Sequence, residues 1–263
     1  MNLAMSNAKA WMIGAALLAA GSGAVLAKAP PKAPAASSAA TAAALAAPDR
    51  VKADTEHDAD RKPGVIVAFA GVKPGDKVGD LIPGRGYFTR IFSHVVGDKG
   101  HVYAIVPAEF IEKNPKGGDA VKALAAEPAM KNVSVVVTPT GALTVGEPLD
   151  VVFTAQNYHD VYGFFGVDKA AAMNAAVFKM LKPGGRYVIE DHAAPGLTDR
   201  AVITKVHRID QATVKAQVLA AGFKFDGESI VLHNAADTHD KSVFDPALRG
   251  HTDQFVMAFH KPK

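Results

Sequence analysis

Short apolar runs alternate with longer amphipathic stretches from about residue 63 to the C-terminus. Five of the apolar runs predict buried strands, at 77–82, 101–106, 133–137, 149–154 and 186–190. Because segments with apolar residues at helical spacing lie between these strands, we expect a parallel sheet that is covered by helices on both faces. Two further strands, 223–232 and 255–260, have no helix between them, so they are expected to form a hairpin that adds one antiparallel strand.

The amphipathic stretches carry signals for the start and end of helices. Pro63 stands at the start of a short apolar helix, and Asp210 is a plausible N-cap for a helix that Gly222 ends. The range 109–127 predicts a helix with one interruption. The charged segment 49–61 predicts a surface helix. Its acidic and histidine side chains are expected on a solvated face: Asp54, His57, Asp58 and Asp60.

The N-terminal residues predict export from the cytoplasm. Residues 11–27 are apolar, and Val25-Leu26-Ala27 matches a small-residue cleavage site, which predicts a signal peptide at 1–27 and a periplasmic protein. The alternative is an uncleaved inner-membrane anchor that faces the periplasm, and this is the only membrane contact we expect. Residues 28–48 contain little but Ala, Pro, Ser and Lys and predict a disordered linker, so the folded domain is expected at 49–263.

Composition and charge narrow the function classes. Of the 263 residues, 49% are hydrophobic and 21% are charged, which is typical of a globular protein with a core. The formal net charge of +3 is nearly balanced, so no nucleic-acid partner is expected. The absence of cysteine excludes disulfides, thiolate chemistry, cysteine-bound zinc and a lipoprotein anchor.

A glycine turn joins the first predicted strand to the helix at 86–96. Gly84 and Gly86 allow a sharp turn and a close approach by a ligand, and the new helix offers free backbone N–H groups. A dinucleotide-binding turn would have a third glycine where this chain has Thr89, and the carboxylate of Asp80 would repel a pyrophosphate. An α-amino acid with a positively charged sulfur suits Asp80 better. A nicotinamide oxidoreductase is therefore the least favoured function.

Three segments resemble signatures of the class I S-adenosylmethionine-dependent methyltransferases: DLIPGRGYFT at 80–89, LDVVF at 149–153 and LKPGGR at 181–186. The segments 243–250 and 255–257 resemble a subgroup of exported, predicted bacterial methyltransferases. The resemblance implies a three-layer Rossmann-like α/β fold. Its mostly parallel seven-stranded sheet would have the order 3-2-1-4-5-7-6, with strand seven antiparallel. It also implies S-adenosylmethionine as the cofactor.

The same resemblance implies a set of cofactor-binding residues: Asp80, Pro83, Gly84, Gly86, Tyr87 and Gln156. The chain departs from the family at the end of the second strand. An acidic residue usually holds the ribose hydroxyls there, whereas this chain has Val106-Pro107. Glu109 follows a few residues later; it is expected to open the next helix, and the alternative is that it reaches the ribose. In this family the segment before the first strand often covers the pocket, which is the alternative for the charged segment 49–61.

Polar residues after strands four and five are expected to face the methyl acceptor. After strand four, His159 is the candidate base, and Asn157 or Tyr158 is expected to position the acceptor. The alternative for this segment is a capped loop with a hydrogen-bonded histidine. After strand five, Asp191 and His192 are candidate substrate contacts.

Three further features allow two interpretations each. Arg208 is a candidate partner for an acidic substrate, and the alternative is capping by Asp210 with a surface ion pair. The polar connection 233–254 predicts either a lid or a solvated loop. A divalent metal would use four side chains: His159, Asp160, Asp191 and His192. Ala155 occupies the place of a metal-binding Asp in metal-dependent O-methyltransferases, so no metal is predicted.

The sequence therefore predicts an S-adenosylmethionine-dependent methyltransferase that acts on a small-molecule acceptor. The alternative is a non-catalytic periplasmic binding or envelope protein that has kept the methyltransferase fold. The missing ribose-binding acid and the predicted export from the cytoplasm, where the cofactor is made, motivate this alternative.

Overall fold

A seven-stranded sheet forms the centre of the computed structural model, which describes residues 35–263. In chain order the strands are β1 (Lys77–Leu81), β2 (His101–Pro107), β3 (Val133–Thr138), β4 (Leu149–Ala155), β5 (Leu181–His192), β6 (Lys224–Ser229) and β7 (Gln254–His260). Their order across the sheet is β3-β2-β1-β4-β5-β7-β6. The signal peptide predicted at 1–27 lies outside the described residues.

The strand pairing confirms the predicted fold class. Strands β1 to β5 pair in parallel, and β7 pairs antiparallel with both β5 and β6. Asp80 of β1 lies opposite Phe153 of β4, and Ala155 of β4 lies opposite Glu190 of β5. Because side chains alternate between the two faces of a sheet, Asp80 and Glu190 lie on the same face.

Helices cover both faces of the sheet. They are α1 (Ala35–Leu45), α2 (Lys52–Thr55), α3 (Asp58–Arg61), α4 (Pro63–Ala70), α5 (Tyr87–Val96), α6 (Ala108–Lys113), α7 (Asp119–Ala125), α8 (Tyr158–Asp160), α9 (Val167–Met180), α10 (Arg200–Val206) and α11 (Gln211–Ala220). On one face, α4 and α5 bury an apolar cluster in which Phe88 and Phe92 pack edge-on against Phe153. On the other face, α9 and α11 bury a second cluster.

Helix α1 lies within the segment that was predicted to be a disordered linker. It packs against α4 and α5, and its residues Thr41 and Ala44 are buried. The linker prediction is therefore wrong from Ala35 onward. Alanine is the strongest helix former, and its small side chain lets neighbouring helices approach closely. An alanine-rich helix can thus pack without the patterned apolar face that the sequence analysis required.

A matched pair of substitutions tests the packing of α1. Replacing the buried Ala44 by Glu should lower the free energy of unfolding by about 2 kcal/mol, because a carboxylate would be forced between packed helices. Ala43→Glu places the same charge on an exposed position of the same helix and should change stability by less than about 0.5 kcal/mol. Urea denaturation measures both values, and equal effects would show that α1 does not pack in solution.

Some helix and strand limits differ from the predicted ones. The predicted helix at 49–61 is two helices of four residues each, α2 and α3, and β6 ends at Ser229, before the predicted 232. Strand β5 begins at Leu181, which pairs with Leu149 of β4 before an irregularity in the pairing, so it is longer than the predicted 186–190. Asp210 caps α11 as predicted, with its carboxylate accepting from the backbone N–H of Thr213 at 2.9 Å. Among residues 35–263, no helix combines the length and the apolar character needed to cross a membrane.

Candidate active site

A cavity of about 290 Å³ lies at the carboxyl ends of β1 and β4, the edge at which parallel α/β sheets bind their ligands. The turn after β1, the segment after β4 and helices α2 and α3 form its walls. Five of the six residues predicted to hold the cofactor line this cavity: Asp80, Pro83, Gly84, Tyr87 and Gln156. The sixth, Gly86, lies in the turn itself as the residue before α5.

The glycine turn is open toward the cavity at one of its two glycines. Gly84 and Gly86 have φ angles of +59° and +88°, which other residues adopt only at an energetic cost. A Cβ atom on Gly86 would lie 2.6 Å from Cδ1 of Leu124, so a side chain there would require Leu124 to move as well as straining the backbone. A Cβ atom on Gly84 would meet no atom within 4 Å. The free side of Gly84 therefore leaves room for a ligand close to the backbone.

Asp80 presents a buried carboxylate beneath the turn. Its side chain accepts a hydrogen bond from Thr89 Oγ1 at 2.5 Å, and the residue is 3% exposed. Thr89, which takes the place of a third glycine, thus holds the carboxylate in position. Burial raises the pKa of Asp80 to about 6, although the hydrogen bond from Thr89 opposes this effect. At neutral pH the carboxylate is mostly ionised and suited to a cationic group.

Helices α2 and α3 cover the cavity. Asp58 accepts two hydrogen bonds from the guanidinium of Arg50, at 2.6 and 2.7 Å, and one from the hydroxyl of Tyr87 at 2.6 Å. The guanidinium of Arg61 lies over the rings of Tyr87 and Phe88, at 4.2 and 4.8 Å from their centroids. These contacts fasten the segment before β1 onto the helix that follows the glycine turn.

The prediction that the segment 49–61 presents a solvated face is wrong for two of its residues. Asp54 is 7% exposed and lines the cavity, and Asp58 is half-buried by its contacts with α5. His57 is exposed but borders the cavity, and Asp60 is half-exposed. The contacts that form this cover join positions that are far apart in the chain, such as Asp58 and Tyr87, so only the family resemblance could indicate it.

Glu190 is a buried acid that the sequence analysis did not single out. Its side chain is fully buried, and within residues 35–263 neither carboxylate oxygen has a hydrogen-bond partner. Its nearest cation is Arg61, whose Nη2 lies 3.9 Å from Glu190 Oε1. Burial raises the pKa of Glu190 to about 7, opposed by the charge of Arg61. An acid inside an apolar strand was the signal that could have revealed it.

Gln156 and Asn157 line the cavity after β4. Gln156 has a φ of +59°, and its amide donates to Gln254 Oε1 at 3.0 Å. The amide of Asn157 donates to the carbonyl oxygen of Ile82 at 2.9 Å and to that of Ala155. Asn157 thus ties the turn after β1 to the end of β4, and its role toward an acceptor stays a prediction.

The prediction that Tyr158 positions the acceptor is wrong. The side chain is fully buried in the core cluster beneath α9. Its hydroxyl donates to Gln217 Oε1 at 2.6 Å and accepts from Asn174 Nδ2 at 2.8 Å. Helix α8 turns this residue away from the cavity and into the interior, which the order of polar residues along the chain could not show.

His159 is close to the predicted region but is not free to act as a base. Its Nδ1 lies 2.6 Å from Asp191 Oδ1, and Asp191 Oδ2 accepts from the backbone N–H of His159 at 2.8 Å. Asp191 and Asp160 raise the pKa of His159 to about 10, although burial opposes them. A histidine that is protonated at neutral pH cannot accept a proton from a substrate. The pairing matches the alternative of a hydrogen-bonded histidine.

The three residues predicted to contact substrate are all engaged inside the fold. Asp191 is fully buried against His159, and His192 Nδ1 lies 2.7 Å from Thr252 Oγ1. Arg208 is fully buried, with its guanidinium 2.8 Å from Asp237. The structure places Arg208 in an interior ion pair and not in the cavity; of the alternative, the capping by Asp210 is confirmed and the surface ion pair is wrong. Arg208 instead anchors the 233–254 connection to the domain.

Glu109 does not replace the missing acid at the end of β2. Its carboxylate accepts from the backbone N–H and the hydroxyl of Thr140, at 2.9 and 2.6 Å, and from Lys169 Nζ at 3.0 Å. It lies in the first turn of α6, as expected. The end of β2 therefore carries no acidic side chain at the place where the family usually has one.

The cavity fits a cationic cofactor such as S-adenosylmethionine. Asp80 places a buried carboxylate in the cavity wall, and Glu190, on the same face of the sheet, pairs with Arg61, another residue of that wall. The backbone beside Gly84 is open to close approach. These features suit an α-amino group and a positively charged sulfur, and they would repel a pyrophosphate.

Comparisons with known proteins agree with this chemistry. The chain is 30% identical, over 186 residues, to the ubiquinone/menaquinone biosynthesis C-methyltransferase UbiE of Shewanella oneidensis, covering 68% of each chain. It is 29% identical to the enzyme of the same name from Shewanella piezotolerans over 206 residues, which cover 74% of this chain and 76% of that one. No protein-family model matches the chain.

Solved structures share the fold. An S-adenosylmethionine-dependent methyltransferase from Aquifex aeolicus superposes with a TM-score of 0.56 at 17% identity, over 80% of this chain and 95% of its own. The glycopeptide N-methyltransferase MtfA in complex with S-adenosylmethionine gives a TM-score of 0.52 at 13% identity, over 79% of this chain and 87% of its own. Together with the glycine turn and the sheet order, these similarities show that the chain belongs to the class I S-adenosylmethionine-dependent methyltransferases and uses S-adenosylmethionine as its cofactor.

Proposed function

We propose that this methyltransferase acts on a small-molecule acceptor. The observation that carries the proposal is the cover over the cavity, in which Asp58 holds Arg50 and Tyr87 together above the glycine turn. A covered cavity admits a small molecule more readily than a folded protein or a duplex. The curated relatives support it, since their names place them in ubiquinone and menaquinone biosynthesis.

The geometry of the cavity supports the following roles for its residues. Bound S-adenosylmethionine supplies an electrophilic methyl group on a positively charged sulfur. The Asp80 carboxylate, held by Thr89, would accept hydrogen bonds from the cationic part of the cofactor, and Gly84 would let the cofactor approach the backbone. Arg61 lies between Glu190 and the aromatic rings of α5 and closes the site from above. Gln156 and Asn157 form the wall after β4, where the acceptor is expected.

A transfer assay tests the class of acceptor. We expect the purified chain to transfer isotope-labelled methyl groups from S-adenosylmethionine to at least one member of a panel of benzoquinols and naphthoquinols. Parallel reactions with a protein mixture and with duplex DNA should incorporate no more label than the same reactions with the Asp80→Asn variant. Labelling of protein or DNA without labelling of any small molecule would contradict the proposal.

We also propose that the protein is exported to the periplasm, which the apolar segment at 11–27 and its small-residue end support. Expression of the full chain in a Gram-negative host, followed by fractionation and N-terminal sequencing, tests the proposal. The expected result is a periplasmic protein that begins at Lys28. A chain that retains residues 1–27 in the membrane fraction would favour the anchor instead.

A further inference from the structure

Three side chains bring possible metal-ligand atoms together beside the end of β4. The ring nitrogen His159 Nε2 lies 3.3 Å from His207 Nδ1 and 3.3 Å from Asp160 Oδ1. His207 Nδ1 and Asp160 Oδ1 are 3.1 Å apart. Two imidazole nitrogens and one carboxylate oxygen therefore form a nearly equilateral triangle.

The dimensions of this triangle suit a single divalent ion. Three donor atoms about 3.2 Å apart can all lie about 2.0–2.2 Å from one ion, which are the Zn–N and Zn–O bond lengths in proteins. A set of two histidines and one carboxylate is also the ligand type that first-row transition metals prefer. We propose that His159, Asp160 and His207 bind one divalent transition-metal ion of the Zn²⁺ class, with at least one coordination position open to water.

Asp191 gives His159 the orientation that a ligand requires. Its buried carboxylate lies 2.6 Å from His159 Nδ1, which places a proton on that nitrogen and leaves Nε2 directed at the other two side chains. Metal-binding histidines usually donate their second N–H to a carboxylate or carbonyl in this way, and the partner fixes the ring. Asp191 thus acts as a positioning residue for the site.

The charges around the site also favour a cation. In the part of the chain that the structure describes, Asp160 and Asp191 form ion pairs with histidines alone and with no lysine or arginine. The positive charge beside these two carboxylates is therefore that of an imidazole, which is carried by a removable proton. A divalent ion would replace the proton on His159 Nε2 and keep the carboxylates balanced, without removing the hydrogen bond between His159 and Asp191.

The site is accessible on one side and shielded on another. The side chains of Asp160 and His207 are 20% and 21% exposed, so an ion and its water ligand can reach them from solvent. The rings of Phe164 and Phe244 flank His207, with centroids at 6.0 and 4.8 Å. Such an apolar surround limits the number of water molecules that compete for the ion.

This ligand set differs from the one considered in the sequence analysis. His207 lies 48 residues beyond His159 in the chain and enters through the end of α10. Asp191 takes the supporting position, and His192 turns to Thr252. The lack of an acid at Ala155 therefore does not bear on this site.

Zinc titration of the purified full chain, made metal-free by dialysis against a chelator and kept without cofactor, tests the proposal. Isothermal calorimetry with ZnCl2 should show one ion per chain, and Co²⁺ should give the visible absorption bands of a nitrogen- and oxygen-bound ion. His207→Asn and Asp160→Asn should each weaken Zn²⁺ binding by about 100-fold or more. Asparagine is chosen for position 207 because it tolerates the left-handed backbone there, with φ +56°.

His251→Ala is the matched control, because it removes an exposed histidine outside the cluster. It should bind Zn²⁺ as the wild type does, and Zn²⁺ should raise the Tm of the wild type and of this control but not of the two cluster variants. Absence of stoichiometric binding to the wild type would overturn the proposal. Unchanged Zn²⁺ affinity in His207→Asn and Asp160→Asn would overturn it as well. Neither result would contradict S-adenosylmethionine binding, because the zinc titration is done without cofactor.

Discussion

Replacing Asp80 by asparagine should weaken S-adenosylmethionine binding by about 10- to 100-fold, the effect of losing a hydrogen bond to a charged partner. The variant should still fold, because the asparagine oxygen can accept the hydrogen bond that Thr89 Oγ1 donates to Asp80. The loss therefore falls on the interaction between a buried carboxylate and a cationic ligand. Calorimetric titration of both proteins at pH 8 measures it, since the pKa of Asp80, about 6, leaves the wild-type carboxylate ionised there.

A matched control separates this local effect from a general change of charge. Asp98→Asn removes the same charge from the exposed turn after α5, at the opposite end of that helix. Its affinity for the cofactor should equal that of the wild type. Equal affinities of Asp80→Asn and Asp98→Asn would show that the buried carboxylate does not contribute to cofactor binding.

Replacing Glu190 by glutamine should stabilise the cofactor-free protein at alkaline pH. The pKa of Glu190 in the folded protein, about 7, lies above its ordinary value of 4.5 because the carboxylate is desolvated. Folding therefore favours the protonated form, and stability decreases as the pH rises from about 4.5 through 7. Full ionisation above this window costs about 3 kcal/mol, which glutamine does not incur.

The pH dependence of the difference between the two proteins is the decisive quantity. Urea denaturation should give similar pH trends below about pH 5 and a growing advantage of Glu190→Gln toward pH 8, reaching about 3 kcal/mol. Any cost of burying an unpaired amide would shift this difference equally at every pH. The exposed Glu112→Gln should stay within about 0.5 kcal/mol of the wild type throughout. A difference that does not change with pH would contradict a desolvated carboxylate at this position.

The sheet and the glycine turn could be predicted because their signals are local. The strands are continuous runs of apolar residues, and Gly84 and Gly86 mark a turn whose backbone needs positive φ angles. The cap at Asp210 is likewise set by the residues that follow it. Such features depend on neighbours in the sequence, so composition and spacing are enough to locate them.

The side-chain environment of the site depends on contacts between distant segments. Glu190 and Asp191 are consecutive in β5, yet Glu190 lies on the face of Asp80 while Asp191 lies on the opposite face with His159. Knowledge that an acid ends a strand does not specify which face it occupies. The burial of Arg208 against Asp237 is a pairing of the same kind, across 29 residues.

The helices before β1 show a different limit of the sequence signal. An alanine-rich segment has little hydrophobic patterning, and a short charged segment has little helical length, so neither indicates packing. Helix α1 nevertheless packs on α5, and Arg61 and Asp58 hold α3 against Tyr87. These elements gain their stability from the domain that they cover.

Binding of S-adenosylmethionine to the purified wild-type chain tests the central claim most directly. Isothermal titration at pH 8 should show one S-adenosylmethionine per chain, and Gly86→Val should abolish this binding, because valine is strained at a φ of +88° and would displace Leu124, which disturbs the turn. S-adenosylhomocysteine, which lacks the charge on sulfur, should bind at the same site. A folded wild-type protein that binds neither compound would contradict the account.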